Sequence, residues 1–304
     1  MAEQRILDGR ELSEIGRMEL LARQAVEGFV SGLHKSPFHG NSVEYADHRP
    51  YVIGDEPASI DWRLWAKTDK YYVKLFEDQT NLRATILLDA SRSMAFGSEE
   101  ADAGQSKFNY GRRLAAMLAY LMLKQNDAVG LALFDRSVRR YVPARSTATH
   151  FRVMLETLQQ ARPDSPTGIG AVLHEMAGRL ARRGMLVLIS DLLDDPAQIA
   201  DGLAHFRFRR HDVIVFHLLD PAELSFPYER TSRFRDMEGG GQLVASPRTV
   251  RAAYLQRLDA FLTLCKRNCL ERGVSYQFVR TSEPCQKMLR AYLEKRSRSL
   301  AARG

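Results

Sequence analysis

The side chains best equipped for chemistry in this chain are oxygen donors that follow apolar runs. Asp89, Ser91 and Ser93 stand at alternate positions directly after the run 84–88, in the segment Asp89-Ala90-Ser91-Arg92-Ser93. A tight loop can turn all three toward one side. A second apolar run, 185–190, ends in Ser190-Asp191, and Thr167-Gly168 opens a helical pattern between the two. Two carboxylates with three neutral hydroxyls form an oxygen-only set of the kind that magnesium and manganese prefer. Calcium suits it less, because carboxylates are few and no twelve-residue calcium loop is present. If Ser91, Ser93 and Thr167 ligate directly while Asp89 and Asp191 hold bound waters, the ion keeps much of its positive charge. It then attracts an external carboxylate into an open position, which is recognition and breaks no bond.

The elements that must position these donors are legible in the hydrophobic periodicity. Residues 10–30 space Leu12, Ile15, Leu21, Val26 and Phe29 as one amphipathic helix. The aromatic-rich stretch that follows predicts short strands at 42–48 and 71–76 and a helical turn at 59–67. In that turn Asp61 reads as an N-cap and Trp62 as its inward-packing neighbour. From residue 83 strands at 84–88, 128–134, 138–142, 185–190 and 213–218 alternate with helices at 107–124, 149–160, 168–182 and 197–209. The strand at 138–142 carries Arg139 and Arg140, as an edge strand does. Such alternation predicts an α/β, Rossmann-like fold with a mostly parallel central sheet flanked by helices. Residues 221–249 form an excursion, a hairpin pinned by Phe226 and Phe234. A helix at 248–272 ending at Gly273, a strand at 274–279 and a helix at 283–298 complete the chain. The expected division is a small segment at 1–82 and a larger domain at 83–304.

Other chemistries find less support. There is no Gly-x-x-x-x-Gly-Lys-Ser/Thr loop for nucleotide hydrolysis and no Gly-x-Ser-x-Gly elbow. A phosphatase that attacks with Asp89 would want a second aspartate where Ser91 stands. The glycines 239–241 read as a flexible turn that follows no strand. Cys265, Cys269 and Cys285 lack a fourth ligand for zinc and read as buried helix residues. His34, His39 and His48, near Asp47, offer a weaker second metal cluster. Arg92, inside the acidic loop, needs a counterweight, for which Glu99, Glu100 and Asp102 are candidates.

Charge is distributed unevenly. Residues 1–200 hold 25 basic and 26 acidic side chains, whereas 201–304 hold 19 and 11. The basic last third could serve an acidic protein surface or nucleic acid, although no nucleic-acid-binding motif accompanies it. Charge-free apolar runs reach only about ten residues, half of the roughly 20 that a membrane span needs. The charged amino terminus is unlike a secretory leader, so the cytoplasm is the expected compartment.

Taken together, Asp89-x-Ser91-x-Ser93, Thr167 and Asp191 resemble the metal-ion-dependent adhesion site of von Willebrand factor A domains. The resemblance implies that Ser91, Ser93 and Thr167 bind Mg2+ directly, with Mn2+ or Ca2+ as substitutes. It implies that Asp89 and Asp191 act through water, and that a partner's Glu or Asp completes the shell. Upstream, Arg49-Pro50-Tyr51-Val52-Ile53-Gly54-Asp55, Ile60-Asp61-Trp62-Arg63 and Lys74-Leu75-Phe76-Glu77 are similar to the hallmark of the bacterial domain-of-unknown-function 58 family. That similarity covers roughly residues 30–220. Members are often encoded beside MoxR-type AAA+ ATPases, which implies an adaptor or chaperone partner of such an ATPase. Many carry membrane spans ahead of this segment, and this chain's lack of them favours a soluble form. Two rival functions draw on the same residues: a metal-dependent phosphoester hydrolase using the acidic crevice, and a nucleic-acid-binding protein using the basic last third.

Overall fold

The structure, a computed structural model, describes residues 9–30, 44–53, 55, 60–77, 82–102, 106–239 and 241–301. Helix α1 (Gly9–Val30) buries Ile15, Met18, Ala22 and Val26, the stripe that its spacing predicts. The chain divides into two compact units, 38–82 and the remainder, so α1 belongs with the larger unit and not with a segment 1–82. The physical reason is its apolar stripe, which packs against two helices of the larger unit, described below as α3 and α4.

In the small unit, β1 (Glu44–Pro50) pairs antiparallel with β2 (Tyr72–Glu77) around helix α2 (Trp62–Thr68). Asp61 caps α2 as expected, its Oδ1 accepting the amides of Arg63 at 2.9 Å and Leu64 at 3.2 Å. Asp55 closes a turn by accepting the Val52 amide at 3.0 Å; Gly54 lies outside the described residues, as do His34 and His39. Trp62 does not pack inward: it is 55% exposed. Its ring meets Trp65 edge-on, and Trp65 stacks on Tyr71, so the aromatic residues cluster with one another at the surface.

The larger unit begins with β3 (Arg83–Asp89), α3 (Lys107–Lys124), β4 (Ala128–Phe134), β5 (Val138–Arg145) and α4 (Ala148–Gln160). It continues through α5 (Ile169–Arg179), β6 (Met185–Ser190), α6 (Pro196–Phe208), β7 (Asp212–Leu219) and the short α7 (Pro221–Ser225). A hairpin of β8 (Ser232–Arg235) and β9 (Gln242–Ala245) precedes α8 (Pro247–Glu271), β10 (Ser275–Arg280) and α9 (Cys285–Ala301). Six strands make one sheet in the order β10-β7-β6-β3-β4-β5, parallel except for the antiparallel edge strand β5. Counted along this sheet the order is 3-2-1-4-5-6, that of a doubly wound fold. This sheet is the expected Rossmann-like, von Willebrand factor A-like architecture.

Helices cover both faces. On one, Val172 and Met176 of α5, Leu203 and Phe206 of α6, and Cys265 and Cys269 of α8 enclose Leu188 and Val215. The cysteines are free thiols, which burial pushes up to about 11 and about 12, as inert core residues. On the other face α3 runs close to the sheet because Gly111 has no side chain. A Cβ there would sit 2.8 Å from Leu88 Cδ1 and 3.3 Å from Ile189 Cγ2. Gly111→Ala is therefore expected to cost about 1–3 kcal/mol of stability, measurable by urea denaturation, despite the better helix propensity of alanine. An unchanged midpoint would show that α3 can shift outward freely.

The excursion 221–249 is a hairpin as expected, with Phe226 stacked on Phe234 at 5.3 Å between ring centroids. One expectation needs correcting. The glycines at 239 and 241 do follow a strand, β8, and lead into β9, with φ of +108° and +104°. A four-residue strand rich in arginine carries too little apolar pattern to be seen in advance.

Candidate functional site

In a 3-2-1-4-5-6 sheet the loops leaving the first and fourth strands diverge, and a crevice opens between them. Those strands are β3 and β6, paired in parallel. Asp89 is the last residue of β3, and Asp191 directly follows Ser190, the last residue of β6, so both acidic residues lie at this switch point.

Asp89 is fully buried. Its Oδ1 accepts the Ser91 amide at 2.8 Å, and its Oδ2 accepts the Ser190 hydroxyl at 2.6 Å. The first bond turns the chain sharply after the strand. The 3-10 turn Arg92–Ala95 then sets Ser91 Oγ and Ser93 Oγ 3.1 Å apart. Thr167 arrives on a separate loop that is tied to this one. The Arg92 amide donates to Ser165 O at 2.8 Å, Arg92 Nε to Asp164 O at 2.7 Å, and the Asp164 amide to Ala90 O at 3.4 Å. Arg92 is thus held by a carbonyl, and of its expected counterweights Asp102 pairs with Arg113 instead. Gly168 permits the approach, since a Cβ there would meet the Arg136 backbone at 3.0 Å.

The sheet sets Asp89 and Asp191 at neighbouring strand ends, with Ser91 and Ser93 in the turn after Asp89, and the loop that leads to Thr167 is bonded to that turn. Among them Thr167 Oγ1 is buried with no hydrogen-bond partner. Buried hydroxyls are rarely left so, and an orphaned one marks a place for a group that would satisfy it.

Three residues that sequence reasoning passed over complete the site. Lys107, fully buried, opens α3 and donates to Asp191 Oδ2 at 2.8 Å and to Glu223 Oε1 at 2.6 Å. Glu223 Oε2 in turn accepts the Asp220 amide in the capping box of α7. A lysine at the first turn of a helix opposes the helix dipole, and that misfit was the available signal for a buried anionic partner. Glu238, from the turn between β8 and β9, sends one carboxylate oxygen to the Ser93 amide at 2.9 Å and the other to the Thr167 amide at 2.7 Å.

The electrostatics follow from burial. Asp89 is pushed up to about 7 by burial and then by Asp191, against the hydrogen bonds from Ser190 and Ser91. Burial alone would lower Lys107, but Asp191 and Glu223 outweigh it and hold the ammonium firmly charged. Burial raises Glu223, with Lys107 opposing. Asp191 and Glu223 share the single Lys107 ammonium, and Asp89, buried against Asp191, adds a further negative charge when it ionises. No group of three or more His, Cys, Asp or Glu suited to a metal occurs among the described residues. A set of two carboxylates and three hydroxyls is different in kind. Its acidic excess, its paired serine hydroxyls and the orphaned Thr167 hydroxyl fit a hard divalent cation.

The family model described as "Protein of unknown function DUF58" matches residues 47–260. Uncharacterized proteins of Mycobacterium bovis and Mycobacterium tuberculosis are 27% identical over 237 residues, covering 77% of this chain and 73% of theirs. The uncharacterized protein YeaD of Bacillus subtilis is 27% identical over 177 residues, covering 58% of this chain and 41% of its own. Among solved structures, the hypothetical protein BatB of Bacteroides thetaiotaomicron is similar at 18% identity and a TM-score of 0.49, covering 71% of this chain and 99% of that one. The SpRpn10 VWA domain is similar at 12% identity and a TM-score of 0.39, covering 68% and 93%. The fold assignment rests on the sheet order and not on these two likenesses.

Proposed function

This chain belongs to the DUF58 family, and from that premise we propose that it is a protein-interaction module whose binding depends on a divalent cation. Ser91, Ser93 and Thr167 would hold the ion, Mg2+ first and Mn2+ or Ca2+ as substitutes, while Asp89 and Asp191 balance its charge. When bound, the ion supplies a positive site for a Glu or Asp of the partner. The protein's own contribution is to keep the donors fixed. Asp89 is held by two hydrogen bonds, Asp191 is anchored by Lys107, and the Thr167 loop is tied to the Asp89 loop through Arg92. The Ser93 and Thr167 amides give a carboxylate two further donors. The observation that carries this reading is the buried, unpartnered Thr167 hydroxyl on a loop tied to the Asp89 loop, where Asp89 is buried against Asp191.

The partner we propose is a MoxR-type AAA+ ATPase, with this chain as its adaptor or chaperone partner. No helix among the described residues is long and apolar enough to cross a membrane. Tagged full-length chain is expected to retain the ATPase in millimolar magnesium and to release it in excess chelator. Asp89→Ala should lose the ATPase while keeping its far-ultraviolet circular dichroism. Equal retention with and without chelator would remove the cation from the reading, and turnover of phosphoesters by the purified chain would replace it with hydrolysis.

A further inference from the structure

The group seated on the Ser93 and Thr167 amides is a carboxylate, and the chain supplies it. We infer that Glu238 is a resident stand-in for the partner's acidic side chain, and that the partner delivers its own Glu or Asp on a turn that displaces the hairpin. This deepens the reading of the site as a carboxylate receptor and rests on it.

The geometry gives Glu238 the character of a ligand. Each carboxylate oxygen takes one amide, at 2.9 and 2.7 Å, from two loops far apart in sequence. Charge-assisted bonds of this bidentate kind select a planar carboxylate. The presenting turn shapes itself locally: the Glu238 amide donates to Asp236 Oδ1 at 2.8 Å, and the Asp236 amide to Gly241 O at 3.0 Å. Gly239 and Gly241 take φ near +105° with open space around them, so they serve the bend and not packing.

The hairpin is anchored through β8, and the anchor stops short of its turn. Phe234 stacks on Phe226 and meets Tyr228, and Arg251 donates to the carbonyls of Phe226 and Tyr228. On β9, Leu243 opposite Phe234 and Val244 opposite Arg233 are each 63% exposed, so the second strand adds little packing. Lifting the turn that follows the Arg235–Gln242 pair therefore breaks the Glu238 contacts without opening the aromatic cluster at Phe234. A tethered carboxylate competes at an effective concentration in the millimolar range, which holds the site shut against weak ligands and yields to a well-matched one.

The test uses the full chain, with a fluorescein-labelled peptide of residues 232–245 as probe. In magnesium, the Glu238→Ala chain is expected to bind this peptide at least about tenfold more tightly than the natural chain. The same peptide with Gln in place of its glutamate should not bind. Hydrogen exchange at the Ser93 and Thr167 amides should be faster in Glu238→Ala than in the natural chain. Affinities within twofold of each other, or binding that ignores the peptide's glutamate, or unchanged amide exchange, would overturn the inference. So would loss of Mn2+ binding in Glu238→Ala, which would make Glu238 a fixed metal ligand. If the tenfold ratio persists in excess chelator, the cation reading falls while Glu238 remains the resident occupant.

Discussion

Replacing Lys107 with methionine is expected to cost about 3–5 kcal/mol of unfolding free energy. The side chain is fully buried, and methionine matches its length, so packing is nearly conserved. What changes is charge. Asp191 and Glu223 lose the ammonium that sits 2.8 and 2.6 Å from them and are left as buried carboxylates. The Coulomb and hydrogen-bond gain of a buried pair roughly offsets its desolvation, but removing one member leaves the other's desolvation uncompensated. Surface pairs such as Arg152–Glu156 carry no such penalty, and Arg152→Met should shift stability by less than about 1 kcal/mol. Urea denaturation checks both. The double variant Lys107→Met with Asp191→Asn should recover part of the loss, because one stranded charge is removed with its partner. If Lys107→Met unfolds at the natural midpoint, the ammonium does not balance the site, and the charge excess assigned to the crevice is wrong.

How much of this was legible in the sequence follows from the range of each interaction. Helix α3 and strands β4 and β6 have the limits that periodicity predicts, because burial on a face writes itself into neighbouring residues. The Asp89 loop was legible for a similar reason: its donors lie two residues apart, directly after an apolar strand. Lys107 pairs with residues 84 and 116 positions away, and Glu238 reaches an amide 145 positions back. Pairings of that separation leave no local period. Trp62 misled because a large aromatic residue beside an N-cap usually packs inward, whereas here it joins an exposed aromatic cluster. Helix α1 lies early in the chain yet packs on α3, a link that adjacency in sequence does not convey.

The second large effect is expected from the cation itself. Added at a hundred times its dissociation constant, magnesium should raise stability by about 2.7 kcal/mol, because it binds the folded chain and not the unfolded one. For a domain of this size that is a rise of roughly 5–10 °C in Tm. Thr167→Val separates this effect from ordinary packing. The two side chains have nearly the same shape, and Thr167 Oγ1 has no hydrogen bond to lose. Without a cation, the valine variant should be as stable as the natural chain or up to about 1 kcal/mol more so, since an unpaired hydroxyl no longer has to be buried. With magnesium, most of the rise in Tm should vanish, and Thr167→Ser, which keeps the hydroxyl, should restore it. A purely structural threonine would give the same change in both conditions. The opposite signs, and rescue by serine, are what a ligating hydroxyl requires. An undiminished magnesium response in Thr167→Val would remove Thr167 from the donor set and leave the acidic excess to be balanced elsewhere.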